Sequence, residues 1–217
     1  MIKGVIFDFD GLIFDTETPQ YTILNELFKE HGCEFPLSRF QQEIGTQTGF
    51  SPFDYLEKTI NRKVEHEKLE KRYREKFQVI LSETKVRSGV EGYLLAAKDL
   101  GLKIGLASSS NREWVTTHLR NLNLLHHFQC IKTSDDVTYV KPNPELYLEA
   151  AKCLGLKVDE CLVFEDSANG ALAAKSAGMK CVIVPNSVTE AMDFCEVDSR
   201  IDSMSDVSLG ELIERIE

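Results

Sequence analysis

Residues 4–17 read GVIFDFDGLIFDTE, and the order of residue types in this stretch decides the fold. Gly4, Val5, Ile6 and Phe7 form a short apolar run, the pattern of a strand covered on both faces, and it ends on Asp8, Phe9 and Asp10. Two carboxylates one residue apart repel each other, so a buried strand ending on them delivers negative charge to a rim where a cation must balance it. Gly11 follows and permits a sharp turn; Asp15, Thr16 and Glu17 lie just beyond.

The strand design recurs downstream. LGLKIGLAS (100–108), LGLKVDECLVFED (154–166) and AGMKCVIVP (177–185) each pair a glycine and a lysine with an apolar run. Gly101, Gly155 and Gly178 read as caps closing helices, such as the one carrying Leu146, Tyr147, Ala150, Ala151 and Leu154, with Asn143 as its N-cap and Pro144 as its first residue. Apolar strands alternating with helices predict an α/β fold built on a doubly wound parallel sheet. Residues 16–81 break the rhythm. Tyr21, Leu24, Leu27 and Phe28, and later Leu69, Tyr73, Phe77, Ile80 and Leu81, recur at helical spacing with no convincing strand between them. The expected organisation is a core of 1–15 and 82–217 with a helical cap of 16–81 inserted after the first strand, its charged stretch VEHEKLEKRYREK (64–76) a solvated face.

Composition narrows the classes. At 217 residues, 42% hydrophobic and 28% charged, the chain can bury a sizeable core, while a net charge of −10 argues against a general nucleic-acid binder. No apolar run approaches the ~20 residues of a membrane helix, and no signal segment opens the chain. A cytoplasmic monomer is expected. Six cysteines, without a CxxC pair and mostly in apolar stretches, read as reduced core residues, and the five histidines as structural or surface groups.

Ligands of an open parallel sheet bind outside the carboxyl ends of its strands. Asp8 and Asp10, Ser108, and Glu165 with Asp166 are delivered there, and Lys141 stands in the loop before Asn143. Acids gathered with a hydroxyl and one cation suit Mg²⁺ and phosphoryl transfer: Lys141 and Ser108 hold the phosphate, Asp8 attacks it, and Asp10 moves the proton. Blander readings stand beside this. Ser108 could cap the helix starting near Asn111, Glu165 and Asp166 the helix 170–177, and Asp15 is either a second acid near the hinge or a local cap. Trp114 and Tyr139 read as packing residues, with Tyr139 near enough to Lys141 to line a pocket.

DFDGLIFDTE (8–17), Ser108 after a strand, Lys141 in KPNP (141–144) and FEDSANGALAAKSAG (164–178) together resemble the four ordered motifs of the haloacid dehalogenase superfamily. The resemblance runs the whole length and is closest to the helically capped branch of β-phosphoglucomutases and small-metabolite phosphatases. It implies an aspartyl-phosphate mechanism with Asp8 as nucleophile, Asp10 as general acid and base, Ser108 and Lys141 as phosphate binders, and Mg²⁺ held by Asp8, Asp166 and the Asp10 backbone carbonyl. The second Asp disfavours dehalogenation. Gln20 stands where the mutases carry a gating His, so a phosphatase of a small phosphorylated metabolite is expected, with a sugar-phosphate mutase as the alternative. Thr16, Glu17, Gln20, Ser109 and Asn111 are further candidates for contacts around the substrate, and EIGTQTGF (43–50) aligns with the family's specificity loop.

Overall fold

The computed structural model describes all 217 residues. Its sheet contains β1 (Gly4–Phe7), β2 (Lys103–Ala107), β3 (Cys130–Lys132), β4 (Cys161–Glu165), β5 (Lys180–Ile183) and β6 (Ser199–Arg200), all parallel, in the order β3-β2-β1-β4-β5-β6. Phe7 stands level with Leu106 on one side and Phe164 on the other. The chain therefore leaves β1 and β4 side by side, where the strand order reverses, and this opens a crevice at their carboxyl ends.

Nine α-helices accompany the sheet. On one face pack α5 (Val90–Asp99), α6 (Arg112–Asn121) and α9 (Leu209–Ile216), burying Val5, Phe7, Leu106, Leu162 and Phe164. On the other face α7 (Glu145–Leu154) and α8 (Ala168–Ser176) cover Ile6, Val163, Cys181 and Ile183. Strands apolar on both faces are what two such layers demand. Gly101, Gly155 and Gly178 have φ of 69°, 65° and 80°, the left-handed conformation that ends a helix cheaply only at glycine. The helix expected from Asn143 starts later, at Glu145, because Asn143 turns its side-chain oxygen onto the Glu145 N–H.

Between β1 and β2 the chain forms α1 (Glu17–Glu30), α2 (Leu37–Gln41), α3 (Pro52–Ile60) and α4 (His66–Glu83). These helices share their own apolar cluster, in which Leu27, Phe28, Phe35 and Leu56 are fully enclosed. The helix α4 runs to Glu83, past the boundary expected at 81, and of its apolar stripe Leu69 is buried while Ile80 faces solvent. Its charged face is less idle than expected: Arg72 grips Glu30 through two bonds of 2.7 Å and Lys76 reaches Glu26 at 2.7 Å, tying α4 to α1.

One cysteine expectation is overturned. Cys130 at the start of β3 and Cys153 near the end of α7 form a disulfide, whereas Cys33, Cys161, Cys181 and Cys195 are free. The helix α7 lies directly against β3, bringing together two residues 23 apart in sequence, a distance that motif spacing does not reveal. No helix is long and apolar enough to cross a membrane.

Candidate active site

The crevice between β1 and β4 collects the predicted acids. Asp8 continues β1, its N–H bonded to the Phe164 carbonyl at 3.0 Å, and is buried. Lys141 reaches it from the loop before α7 with a side chain wholly enclosed, donating to Asp8 Oδ1 and, at 2.6 Å, to Glu165 Oε1. Glu165 is a brace. Its Oε1 also accepts from the Tyr147 hydroxyl at 2.7 Å, and its Oε2 from the Asp166 N–H, the Ser167 N–H and the Ser167 hydroxyl at 3.0–3.1 Å. Burial pushes the Glu165 carboxyl up, but Lys141 and these donors win and hold it below the usual carboxylate range. Ser167, rather than either acid, caps α8.

Asp166 is placed differently. Its Oδ2 accepts from Asn186 Nδ2 at 2.9 Å, while Oδ1 is buried with no hydrogen-bond partner. Burial, together with the neighbouring Glu17 and Glu165, pushes its carboxyl well above the ordinary range. Burial does the same to Asp8 despite Lys141, and raises Glu17 to about 8. Carboxylate oxygens of Asp8, Glu165 and Asp166 lie within 4.8 Å of one another. A buried carboxylate oxygen without a partner, on an acid clustered with two others, is what a hard divalent cation fits, since oxygen donors are its preferred ligands and its charge removes their repulsion. With both Glu165 oxygens occupied by donors, Asp8 and Asp166 are the side chains suited to hold it.

The Asp10 carboxylate points elsewhere. Oδ1 accepts from Thr16 Oγ1 at 3.0 Å and Trp114 Nε1 at 2.9 Å, and Oδ2 from Ser110 Oγ at 2.6 Å. Asp8 and Asp10 thus serve two surroundings, one charged and enclosed, the other made of neutral donors. Both line a cavity of about 200 Å³ together with Thr16, Glu17, Gln20, Ser108 and Ser109. Ser108 is buried and accepts the Ser110 N–H at 3.0 Å. Gly11, with φ of 81°, makes the turn out of β1, and a Cβ there would collide with Asp166 Oδ2 and Glu17 Oε2.

The roof comes from the segment after α2. Gln47 Nε2 donates to the Ser109 carbonyl at 2.5 Å, Ser109 Oγ to the Gly45 carbonyl at 2.8 Å, and Asn169 Nδ2 to the Ile44 carbonyl at 2.8 Å. These bonds dock the helical segment onto the rim.

Not every candidate reaches the cavity. Asn111 is exposed and caps α6 by accepting the Trp114 N–H at 2.8 Å, the role weighed for Ser108. Tyr139 is 63% exposed and does not line the cavity that holds Asp8 and Asp10. Asp15 caps α1 through the Thr18 N–H at 3.1 Å. Trp114 is more than a packing residue: besides holding Asp10, its ring stacks on Phe77 of α4 at 6.2 Å and 8°. Asn186 was not singled out, yet it links Glu17 at 2.8 Å, Asp166 and the Gly11 carbonyl. It follows β5 at the same rim, so the rule that found Asp166 would have found it too. Arg87, bonded to the carbonyls of Gly11, Val184 and Pro185, fixes the same turn. A second group, Asp54, Glu57 and His66, lies in the helical segment, where Lys63 pairs with Glu57 at 2.7 Å.

Comparison with known proteins agrees with the fold. The family model described as haloacid dehalogenase-like hydrolase matches residues 5–184. The Bacillus subtilis protein named "Putative phosphatase YhcW" is 56% identical over 100% of this chain and 98% of its own length. The "Phosphorylated carbohydrates phosphatase" of Thermotoga maritima is 30% identical over 82% of this chain and 83% of its own. The crystal structure of a "putative beta-phosphoglucomutase" from Thermotoga maritima superposes with a TM-score of 0.75 at 27% identity, covering 98% of this chain and 99% of that one. The chain therefore belongs to the haloacid dehalogenase-like hydrolase family, on its phosphatase branch.

Proposed function

We propose that this phosphoric monoester hydrolase moves the phosphoryl group of a small phosphorylated metabolite first to Asp8 and then to water, with Mg²⁺ as cofactor. The observation that carries the reading is the division of labour between two acids from one strand. Asp8 sits against Lys141 in one acid cluster with Asp166, which carries a buried oxygen without a partner, while Asp10 faces the cavity among hydroxyl and indole donors. A divalent cation bound by Asp8, Asp166 and the Asp10 backbone carbonyl would supply the positive charge that lets an anionic nucleophile meet an anionic phosphate.

The chain's own groups do the rest. Lys141 and Ser108 hold phosphoryl oxygens, and the Asp8 oxygen not engaged by Lys141 bonds to phosphorus as the ester oxygen leaves. Asp10 gives that oxygen its proton, then accepts one from the water that displaces Asp8 and releases phosphate. Glu165 keeps Lys141 in place, and the helical segment acts as a cap that excludes bulk water. Gln20, which lines the cavity, is an amide and cannot relay protons, which favours hydrolysis over mutase action.

Turnover of p-nitrophenyl phosphate is expected to stop on chelation and return with Mg²⁺, and Asp166→Asn to raise the Mg²⁺ needed for half-maximal rate by about tenfold or more. Full turnover in chelator contradicts the reading. A screen of phosphorylated metabolites scored by phosphate release then identifies the substrate, and formation of an isomeric sugar phosphate in its place would favour the mutase.

Trp114→Phe keeps the ring that stacks on Phe77 and deletes the N–H that Asp10 accepts. Asp10 then loses one of the three side-chain donors that orient it, so kcat is expected to fall about ten- to a hundredfold with little change in KM or Tm. A parallel loss of Tm would mark the indole as structural instead.

A further inference from the structure

The catalytic cavity opens into a second chamber of about 510 Å³ within the helical segment, and the two share Gln20, Phe40, Glu43, Thr46 and Gln47. Beyond this neck the walls are Leu24, Phe50, Phe53 and Tyr73. The neck thus carries two amides, a hydroxyl and a carboxylate beside the Phe40 ring, whereas most of the walls belonging to the outer chamber alone are apolar or aromatic. A chamber of this size is on the scale of small-molecule sites, roughly 300–1,000 Å³.

Glu43 supplies the charge of the shared neck. Its carboxylate is held in place: Arg39 donates to Oε1 at 2.5 Å and the Thr48 hydroxyl to Oε2, and the side chain is 17% exposed. Arg39 is committed in turn, its guanidinium lying 3.8 Å from the centre of the Phe50 ring. Arg39 is thus occupied by an acid and a ring, while the acid itself lines both spaces. A second phosphate on the substrate would have to pass or rest beside that carboxylate.

Resting on the hydrolase reading above, we propose that Glu43 is a specificity-determining residue. It selects monophosphate esters whose alcohol part is uncharged, hydroxylated next to the phosphate and apolar or aromatic beyond it, as in a nucleoside monophosphate, and it rejects sugar bisphosphates. Like-charge juxtaposition across a partly desolvated wall rejects wrong partners strongly. A mutase passes through a bisphosphate, so the same carboxylate opposes that chemistry.

The test measures kcat/KM for p-nitrophenyl phosphate, a nucleoside 5′-monophosphate, fructose 6-phosphate and fructose 1,6-bisphosphate with the parent and with Glu43→Gln, which keeps the shape and one acceptor for Arg39. The parent is expected to prefer the fructose monoester to the bisphosphate by at least about tenfold, and the nucleoside ester to the fructose monoester. Glu43→Gln is expected to narrow the preference for the fructose monoester over the bisphosphate about tenfold. Equal use of the bisphosphate by the parent, or a ratio that Glu43→Gln leaves unmoved, overturns the proposal while leaving the hydrolase reading intact. Failure of the parent to turn over the aryl phosphate strikes the hydrolase reading itself, and this proposal with it.

Discussion

Asp8→Asn is expected to yield a folded protein whose turnover of p-nitrophenyl phosphate is at least about 10⁴-fold below the parent, the scale on which removal of a nucleophile acts. Asn is nearly isosteric and keeps an oxygen for Lys141, which also retains its 2.6 Å bond to Glu165. The backbone bond from Asp8 to the Phe164 carbonyl does not depend on the side chain. The change also removes one acid from a buried group that includes Glu165 and Asp166, so the fold loses repulsion rather than a support. Tm by circular dichroism should equal or exceed the parent's, as is common where a site trades stability for function. A variant active at the parent rate would remove Asp8 from the mechanism.

Lys141→Met is expected to have the largest effect on stability. Its ammonium is fully buried between Asp8 and Glu165, and burial, which alone would lower its pKa, is outweighed by these two carboxylates, so that it stays charged. Removing one member of a buried ion cluster leaves the others uncompensated and costs about 3–5 kcal/mol. For a chain of this size that lowers Tm by about 10 °C. Met fills most of the slot, so cavity formation contributes little. Turnover should be lost together with stability, because the phosphate loses a partner and Glu165 loses the group it orients. Urea unfolding of parent and variant checks the first effect, and a stability loss under about 1 kcal/mol would contradict the assigned burial of charge.

Much of this arrangement was legible in the sequence, for identifiable reasons. Apolar strands with glycine-capped helices specify the layers, and the strand that ends on Asp8 and Asp10 specifies the crevice. Asp8, Ser108, Lys141, Glu165 and Asp166 do converge, since each stands at a strand end or in the adjoining loop on one rim. What escaped the sequence depends on distance across the fold. Trp114 looks like packing because its helix presents it to α4, and only the approach of Asp10 gives its N–H a partner. The Cys130–Cys153 bond depends on the placement of α7 against β3. Asn186 stands just past β5 where the strand-end rule reaches it, but that its amide joins Glu17, Asp166 and the Gly11 carbonyl follows only from the fold. Asn111 shows the opposite error: adjacency in sequence to Ser108 suggested a substrate contact, but α6 uses it as a cap.

The measurement that bears most directly on the account is capture of the covalent intermediate. Turnover in Mg²⁺ is quenched in acid, which preserves acyl phosphates, and the protein is digested and mapped by mass. Phosphoryl mass on the peptide that contains Asp8, absent from Asp8→Asn, is the result expected. Steady turnover with no phosphorylated peptide, or with the adduct on another residue, would contradict the claim that Asp8 accepts the phosphoryl group.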